Sequence, residues 1–150
     1  MRATDLCGDW FVRHLEETGK GMPVSIPDDA MLREERRADA AGGLNVSWFD
    51  GRDYLYTRTL TLTAQKVQLH NVLEFEGVYR KAEVWINGQK AAFRPYGYTN
   101  FYVPLDGLVH EGENVIEVIA RNSDQPNSRW YSGAGIYRPV KWWSRRPGAG

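Results

Sequence analysis

The sequence has little cysteine, no excess of charge of either sign and no long apolar run. Its 150 residues contain one cysteine, Cys7, so no disulfide can form within the chain. Nineteen basic residues balance nineteen acidic ones, which removes the long-range field that attracts nucleic acid or an anionic membrane. No segment approaches the roughly 20 apolar residues of a membrane-spanning helix, and no secretory signal pattern opens the chain. These absences predict a cytosolic protein without nucleic-acid or membrane partners.

The motifs of several catalytic and metal-binding classes are also missing. The three histidines, His14, His70 and His110, show no metal-ligand spacing to one another or to Cys7, whereas a zinc site needs three or four ligands. Neither a Gly-rich phosphate loop nor a Gly-x-Ser-x-Gly elbow occurs. The sequence therefore predicts no metal site, no cofactor and no self-contained catalytic apparatus.

Glu74 and Glu76 are the one carboxylate pair that we test as a glycosidase-type catalytic pair. Two positions apart on a strand, they share a face and lie about 6.6 Å apart along it, close to the spacings that glycoside hydrolysis uses. The strand pattern places both on a solvated face, where both would ionise freely and neither would be held as an acid. We therefore predict a solvated surface instead of a catalytic pair.

Alternation of apolar and polar residues predicts two strands in the middle of the chain. Residues 54–63 alternate Tyr and Leu with Thr, and only Arg58 interrupts the apolar side. Residues 67–76 alternate in the same way, with Gln, His and Glu on the polar side. Each segment is therefore predicted to have one buried face and one solvated face.

A hairpin and a central strand follow. Asn87-Gly88 is the pair that best tolerates the positive φ angles of a type I′ turn, so it predicts a hairpin between residues 82–86 and 90–93. Residues 115–120 are almost continuously apolar, which predicts a strand at the centre of a sheet.

Short strands separated by Gly, Pro and Asn predict an all-β sandwich or jelly roll. The one helical candidate, residues 28–40, has only Met31 and Leu32 as large apolar residues, so we expect a loop with at most one helical turn. The length suits one domain. Residues 1–143 are its predicted extent, and residues 144–150, rich in Arg, Pro and Gly, are predicted to be a linker.

The aromatic residues concentrate in SRWYSGAGIYRPVKWW, residues 128–143. Arg129 offers donors for vicinal hydroxyls and Trp130 an apolar plate for a sugar ring, which together could form a sugar site. The alternative is that Trp130 belongs to the core and Arg129 pairs with a surface carboxylate. Trp142 and Trp143 point to opposite faces of a strand, so one of them should lie outside the core, under a neighbouring domain.

From Val24 onward, the sequence resembles the N-terminal, non-catalytic domain of glycoside hydrolase family 2, the family of β-galactosidases, β-glucuronidases and β-mannosidases. The resemblance covers about four-fifths of the chain; residues 1–23 match weakly, and Asp28 stands where the family has His. The matching segments, in order, are SIPDDAM (25–31), LEFEGVYRKAEVWINGQ (73–89), PYGYTNFYVPLDGLV (95–109), GENVIEVIARN (112–122) and QPNSRWYSGAGIYRPV (125–140).

The resemblance implies a galactose-binding-like jelly-roll β-sandwich, which in the family precedes an immunoglobulin-like domain and a (β/α)8 barrel. Because the family's catalytic glutamates lie in that barrel, it implies a non-catalytic domain of a β-galactosidase-like or β-glucuronidase-like hydrolase. The implied partners are a β-glycoside and the two other domains. In the family, the loop similar to residues 128–133 lies near the barrel pocket, so Arg129 and Trp130 are implied substrate-binding residues, with Trp142 or Trp143 at the domain interface.

Two rival hypotheses stay open at this point. One is a free-standing carbohydrate-binding module, and the other is a purely structural interaction domain for which sugar never matters. A complete small enzyme using Glu74 or Glu76 is the weakest alternative.

Overall fold

The computed structural model describes residues 2–28, 53–79, 81–94, 100–121, 135–136 and 138–146. Within these ranges the chain is almost entirely β-structure, with one short helix. The elements are β1 (Arg2–Asp5), β2 (Trp10–His14), β3 (Met22–Val24), β4 (Tyr54–Leu62), α1 (Ala64–Val67), β5 (His70–Phe75), β6 (Val78–Tyr79), β7 (Lys81–Ile86), β8 (Gln89–Arg94), β9 (Phe101–Pro104), β10 (Gly112–Arg121), β11 (Gly135–Ile136) and β12 (Val140–Arg145).

The described strands form two antiparallel sheets and one short additional pair. One sheet has four strands in the order β1-β12-β5-β9, and the other has six in the order β3-β2-β4-β10-β7-β8. The short β6 and β11 pair with each other. Val118 of β10 lies opposite Tyr56 on one side and Val84 on the other, so the strand predicted to be central is central.

The core lies between the two sheets. The six-stranded sheet contributes Tyr56, Val84 and Val118, and the four-stranded sheet contributes Leu73 and Phe75, all with 0% exposure. Both sheets therefore bury one face against the other, the arrangement of a β-sandwich. The prediction of an all-β sandwich is confirmed.

Arg58, which interrupts the apolar side of β4, lies at the border of this core. Its guanidinium donates to the carbonyl oxygens of Gly8 at 2.8 Å and Thr59 at 2.7 Å, and it lies 3.8 Å from Asp9. Burial lowers the pKa of Arg58. The charge is tolerated on the inner side because backbone carbonyls satisfy its donors.

The predicted hairpin is present. Asn87 and Gly88 have φ angles of 50° and 81°, as a type I′ turn requires, and they join β7 to β8. The Asn87 side chain also donates to the Leu108 carbonyl at 2.9 Å. The turn is therefore tied to the loop that leads into β10.

The prediction that the strand before Glu76 begins at residue 67 is wrong. The segment Ala64–Val67 is the helix α1, and the strand starts at His70. The Thr63 hydroxyl accepts a hydrogen bond from the Lys66 amide at 3.2 Å, which is an N-cap. A capped helical turn therefore precedes the strand.

The ends of the chain contribute strands to both sheets. β1 pairs with β12 in the four-stranded sheet, whereas β2 pairs with β3 and β4 in the six-stranded sheet. Within the weakly matching residues 1–23, the strands β1, β2 and most of β3 are therefore an integral part of the sandwich. β12 continues through Ser144 and Arg145, two residues into the predicted linker. Residues 29–40 of the predicted loop lie outside the described residues.

Candidate functional site

The described residues include only part of the predicted site. Arg129 and Trp130 lie outside them, within 122–134, so their predicted roles stay predictions. Trp142 and Trp143 lie on β12 in the four-stranded sheet.

A buried tyrosine clamps the chain immediately after residues 122–134. Tyr56 has 0% exposure, and its hydroxyl donates to Oδ2 of Asp28 at 2.7 Å. The Asp28 amide donates to the carbonyl oxygen of Ile136 at 2.7 Å. Gly135 packs against the same hydroxyl, since a Cβ built on it would lie 2.1 Å from that oxygen. Residues 28 and 135–136 are therefore held together on the six-stranded sheet.

Trp142 faces inwards and supports the fold. It is partly buried against the core, and its indole N–H donates to Oδ1 of Asn71 at 2.8 Å. The Asn71 amide in turn donates to the carbonyl oxygens of Lys66 at 2.9 Å and Leu69 at 3.1 Å. Trp142 therefore ties β12 to β5 and to the turn that leaves α1.

Trp143 lies on the outer face of the same sheet. Its indole N–H donates to Oε1 of Glu74 at 2.7 Å. Oε2 of Glu74 accepts from the Asn100 amide at 2.9 Å and lies 3.4 Å from the Tyr102 hydroxyl. Tyr102 is 55% exposed. We call Trp143, Glu74, Asn100 and Tyr102 the Trp143 patch.

An ion pair and a histidine–carboxylate hydrogen bond flank the Trp143 patch on the outer face. Lys141 lies 3.3 Å from Glu76, and Nδ1 of His70 lies 2.6 Å from Asp106. The alternation argument for the two tryptophans is therefore correct, and Trp143 is the one that lies outside the core.

The prediction that Glu74 is freely solvated is wrong. The strand face was assigned correctly, yet Glu74 is only 7% exposed because the partners in the Trp143 patch cover it. Three donors, from Trp143, Asn100 and Tyr102, point at its carboxylate, which serves as their hydrogen-bond acceptor. Glu76 is paired with Lys141.

The thiol of Cys7 is another reactive group in the described part of the chain. Cys7 is half-buried, and burial raises the pKa of its thiol, which disfavours the thiolate form needed of a nucleophile. Among the described residues, no three His, Cys, Asp or Glu side chains are grouped to hold a metal ion. In the same ranges, no helix has the length and apolar character to span a membrane.

Sequence reasoning missed the clamp and most of the Trp143 patch. Tyr56 reads as an ordinary core residue of an alternating strand. Its hydrogen-bond partner Asp28 could have been noticed in the sequence, because it stands where the family named above has His. Asn100 and Tyr102 reach Glu74 only because β9 pairs with β5 in the register Glu74 to Tyr102. No local pattern encodes that pairing.

Comparison with known proteins identifies relatives over most of the chain. The family model described as "Glycosyl hydrolase 2 galactose-binding domain-like" matches residues 22–139. A "Putative beta-glucuronidase" of Formosa agariphila is 33% identical over 118 residues, which are 79% of this chain and 11% of that protein. "Beta-galactosidase BoGH2A" of Bacteroides ovatus is 51% identical over 123 residues, which are 81% of this chain and 14% of that protein. The chain thus spans only a small fraction of the length of these relatives.

Solved structures show the same fold. A glycosyl hydrolase family 2 member from Bacteroides cellulosilyticus superposes with a TM-score of 0.81 at 23% identity, covering 98% of this chain and 21% of that one. A β-glycosidase from Bacteroides vulgatus superposes with a TM-score of 0.77 at 30% identity, covering 98% of this chain and 20% of that one. With the family match, these superpositions confirm the prediction of a galactose-binding-like β-sandwich.

Proposed function

Since this chain belongs to glycoside hydrolase family 2 through its galactose-binding-like domain, we propose that it is a non-catalytic domain of a β-galactosidase- or β-glucuronidase-type enzyme. In this role it supports saccharide binding at the active site and the assembly of the enzyme's domains. The observation that carries the proposal is the family match over residues 22–139, combined with coverage of only 11% and 14% of the glycosidases it resembles.

The clamp supports the saccharide-binding part of the proposal. Arg129 and Trp130 are the proposed substrate-binding residues. Tyr56, Asp28 and Gly135 fix the chain directly after the segment that carries them. A fixed attachment point lowers the entropy lost when side chains order around a ligand.

The Trp143 patch supports the assembly part of the proposal. We propose that Trp143 docks against another domain of the same parent chain, an immunoglobulin-like or barrel domain. Its indole is held by Glu74 at 2.7 Å, so it is pre-organised for packing. The proposed interface residue is Trp143 alone, because Trp142 is engaged within the sandwich.

The substrate-binding role is tested by kinetics of the whole parent enzyme with a nitrophenyl β-galactoside and a nitrophenyl β-glucuronide. Arg129→Ala and Trp130→Ala should lower kcat/KM for the preferred substrate about tenfold or more, largely through KM, while turnover persists. Arg146→Ala, at an exposed position after β12, is the matched control and should leave kcat/KM unchanged. Unchanged kinetics in both variants would refute the substrate-binding role.

The non-catalytic status is tested with the purified 150-residue chain and the same glycosides. The expected result is no hydrolysis. Hydrolysis that disappears in Glu74→Gln or Glu76→Gln would overturn the proposal and establish a small complete enzyme. Saturable sugar binding without any effect of Arg129→Ala on the parent enzyme would instead favour a free-standing binding module.

A further inference from the structure

We propose that Asn87 is a latent deamidation site. The folded chain protects it, local opening of its hydrogen bonds exposes it, and the product of the reaction cannot restore those bonds. Asn87-Gly88 is the one Asn-Gly pair in the sequence. This pair is the most prone to spontaneous deamidation, because glycine has no side chain to hinder attack by its own backbone nitrogen. The proposal rests on the described residues and is independent of the proposed function.

The reaction converts the side-chain amide of Asn87 into an acid in two steps. The deprotonated backbone nitrogen of Gly88 attacks Cγ of Asn87, a C–N bond forms, and the side-chain NH2 group takes up a proton and leaves as ammonia. Water then adds to a carbonyl group of the resulting cyclic imide and breaks one of its C–N bonds. The product is aspartate or β-linked isoaspartate, so the net reaction consumes water and releases ammonia.

Three hydrogen bonds hold the Asn87 carboxamide in the folded chain. Its NH2 group donates to the carbonyl oxygen of Leu108 at 2.9 Å and to Oδ1 of Asn114 at 2.8 Å. Its own Oδ1 accepts from the Val115 amide at 2.8 Å. We call Asn87, Leu108, Asn114 and Val115 the Asn87 lock. Because both ends of the carboxamide are engaged, the side chain cannot rotate freely without breaking these bonds.

The Asn87 lock directs the carboxamide away from the attacking nitrogen. β7 lies between β10 and β8 in the six-stranded sheet. The side chain of Asn87, directly after β7, bonds to Asn114 and Val115 of β10 on one side. Gly88 leads the chain into β8 on the other side. Attack by the Gly88 nitrogen therefore requires the lock to open first.

The burial of Asn114 makes this opening costly. Asn114 is 0% exposed, and its Oδ1 also accepts from the His110 amide at 2.9 Å. Opening the lock removes one partner from this buried side chain, which native structures rarely allow. At the usual net strength of a hydrogen bond, the three bonds of the lock together should slow the reaction about 100-fold.

The product of deamidation cannot close the lock again. An aspartate carboxylate has no NH2 group, so the carbonyl oxygen of Leu108 and Oδ1 of Asn114 would both face a group that only accepts hydrogen bonds. Isoaspartate also adds a methylene to the backbone, which is incompatible with the two-residue turn between β7 and β8. Deamidation should therefore leave the hairpin detached from the loop before β10.

The test measures deamidation of the 150-residue chain by mass spectrometry at mildly alkaline pH. Trypsin releases residues 82–90, in which Asn87 is the only asparagine. The folded chain should deamidate there about 100-fold more slowly than the chain unfolded in guanidinium chloride. Equal rates in the two states would overturn the proposal.

Two buried asparagines separate local opening from global unfolding. Asn114→Ala removes one bond of the lock and should speed deamidation of the folded chain about tenfold or more. Asn71→Ala is the matched control, because Asn71 is equally buried but bonds to Trp142 and to the end of α1 instead; it should change the rate less than about twofold. Both variants should react at the wild-type rate when unfolded. Equal acceleration of the two folded variants would place the reaction in the globally unfolded chain and overturn the proposal.

Two further measurements do not depend on the folding of Asn114→Ala. Guanidinium chloride below the unfolding transition should change the wild-type rate little, because local opening exposes little surface. A rate that rises in parallel with the unfolded fraction would overturn the proposal. Asn87→Asp reproduces one product and should lower the urea midpoint of unfolding, whereas an unchanged midpoint would refute the claim that the product cannot close the lock.

Discussion

Replacing Gly135 with alanine should destabilise the protein by about 2–6 kcal/mol, because two separate costs meet at this residue. Its φ angle is 109°, a conformation that costs a residue with a Cβ about 1–3 kcal/mol. The new Cβ would lie 2.1 Å from the Tyr56 hydroxyl, 3.0 Å from its ring carbon and 3.1 Å from the Asp28 carbonyl oxygen. Relieving such an overlap typically costs about 1–3 kcal/mol and would break the bond between Tyr56 and Asp28.

A matched glycine isolates the steric part of this cost. Gly112 has a φ angle of 98°, and a Cβ added there would meet nothing within 4 Å. Gly112→Ala should therefore show only the backbone cost, about 1–3 kcal/mol. The difference between the two alanine variants measures the contact with Tyr56.

A double-mutant cycle tests the assigned partner. Tyr56→Phe alone should cost about 1–3 kcal/mol, because Asp28 loses a hydrogen bond in a buried setting. In the Gly135→Ala background the same change also removes the clashing oxygen. The two costs should then fall short of additivity by at least about 1 kcal/mol.

Urea unfolding, followed by far-UV circular dichroism and extrapolated to water, gives these free energies. The reasoning would be refuted if Gly135→Ala cost no more than Gly112→Ala. Strict additivity of Tyr56→Phe and Gly135→Ala would refute it as well, since it would mean that the tyrosine hydroxyl does not occupy the space next to Gly135.

Three further predictions concern the polar interactions of the sandwich. Asn114 is fully buried, and its amide donates and accepts within 2.8 Å, so Asn114→Ala should cost about 2–4 kcal/mol in urea unfolding; a loss below about 1 kcal/mol would contradict it. Glu83→Gln should lose about 1–2 kcal/mol at neutral pH. Because pairing with Arg121 holds the pKa of Glu83 below its usual 4.5, that loss should be complete above this pH and shrink as the pH falls further; a deficit in thermal melts that ignores pH would refute it. Trp142→Ser should lower Tm more than Trp143→Ser, because Trp142 packs against the core whereas Trp143 lies on the outer face and donates only to Glu74; Trp143→Ser should in addition weaken docking onto the remaining domains of the parent enzyme, and equal effects on Tm would contradict the assigned faces.

Local features were predictable because short-range chemistry decides them. The hairpin at Asn87-Gly88 follows from the tolerance of these residues for positive φ angles. The central position of residues 115–120 follows from their almost continuous apolar run. A strand at the edge of a sheet would leave much of that run exposed, whereas a central strand can bury it. The strand predicted from residue 67 failed for a local reason, since Thr63 caps a helical turn that the alternating pattern conceals.

The candidate sites were only partly predictable. Alternation required Trp142 and Trp143 to face opposite ways, but which one faces the core depends on the register of β12 against β5. The burial of Glu74 depends on β9 placing Asn100 and Tyr102 beside it. These contacts join residues 26 to 69 positions apart, so no local window of the sequence contains them.

The sequence by itself determined the all-β class, the hairpin, the central strand and the likeness to a family, because periodicity, turn chemistry and motif order are properties of neighbouring residues. Only the tertiary structure decided that Tyr56 clamps Asp28 beside Gly135 and that Glu74 is covered. The physical reason is that burial and hydrogen-bond partnership depend on which distant strands become neighbours, and on the register in which they pair.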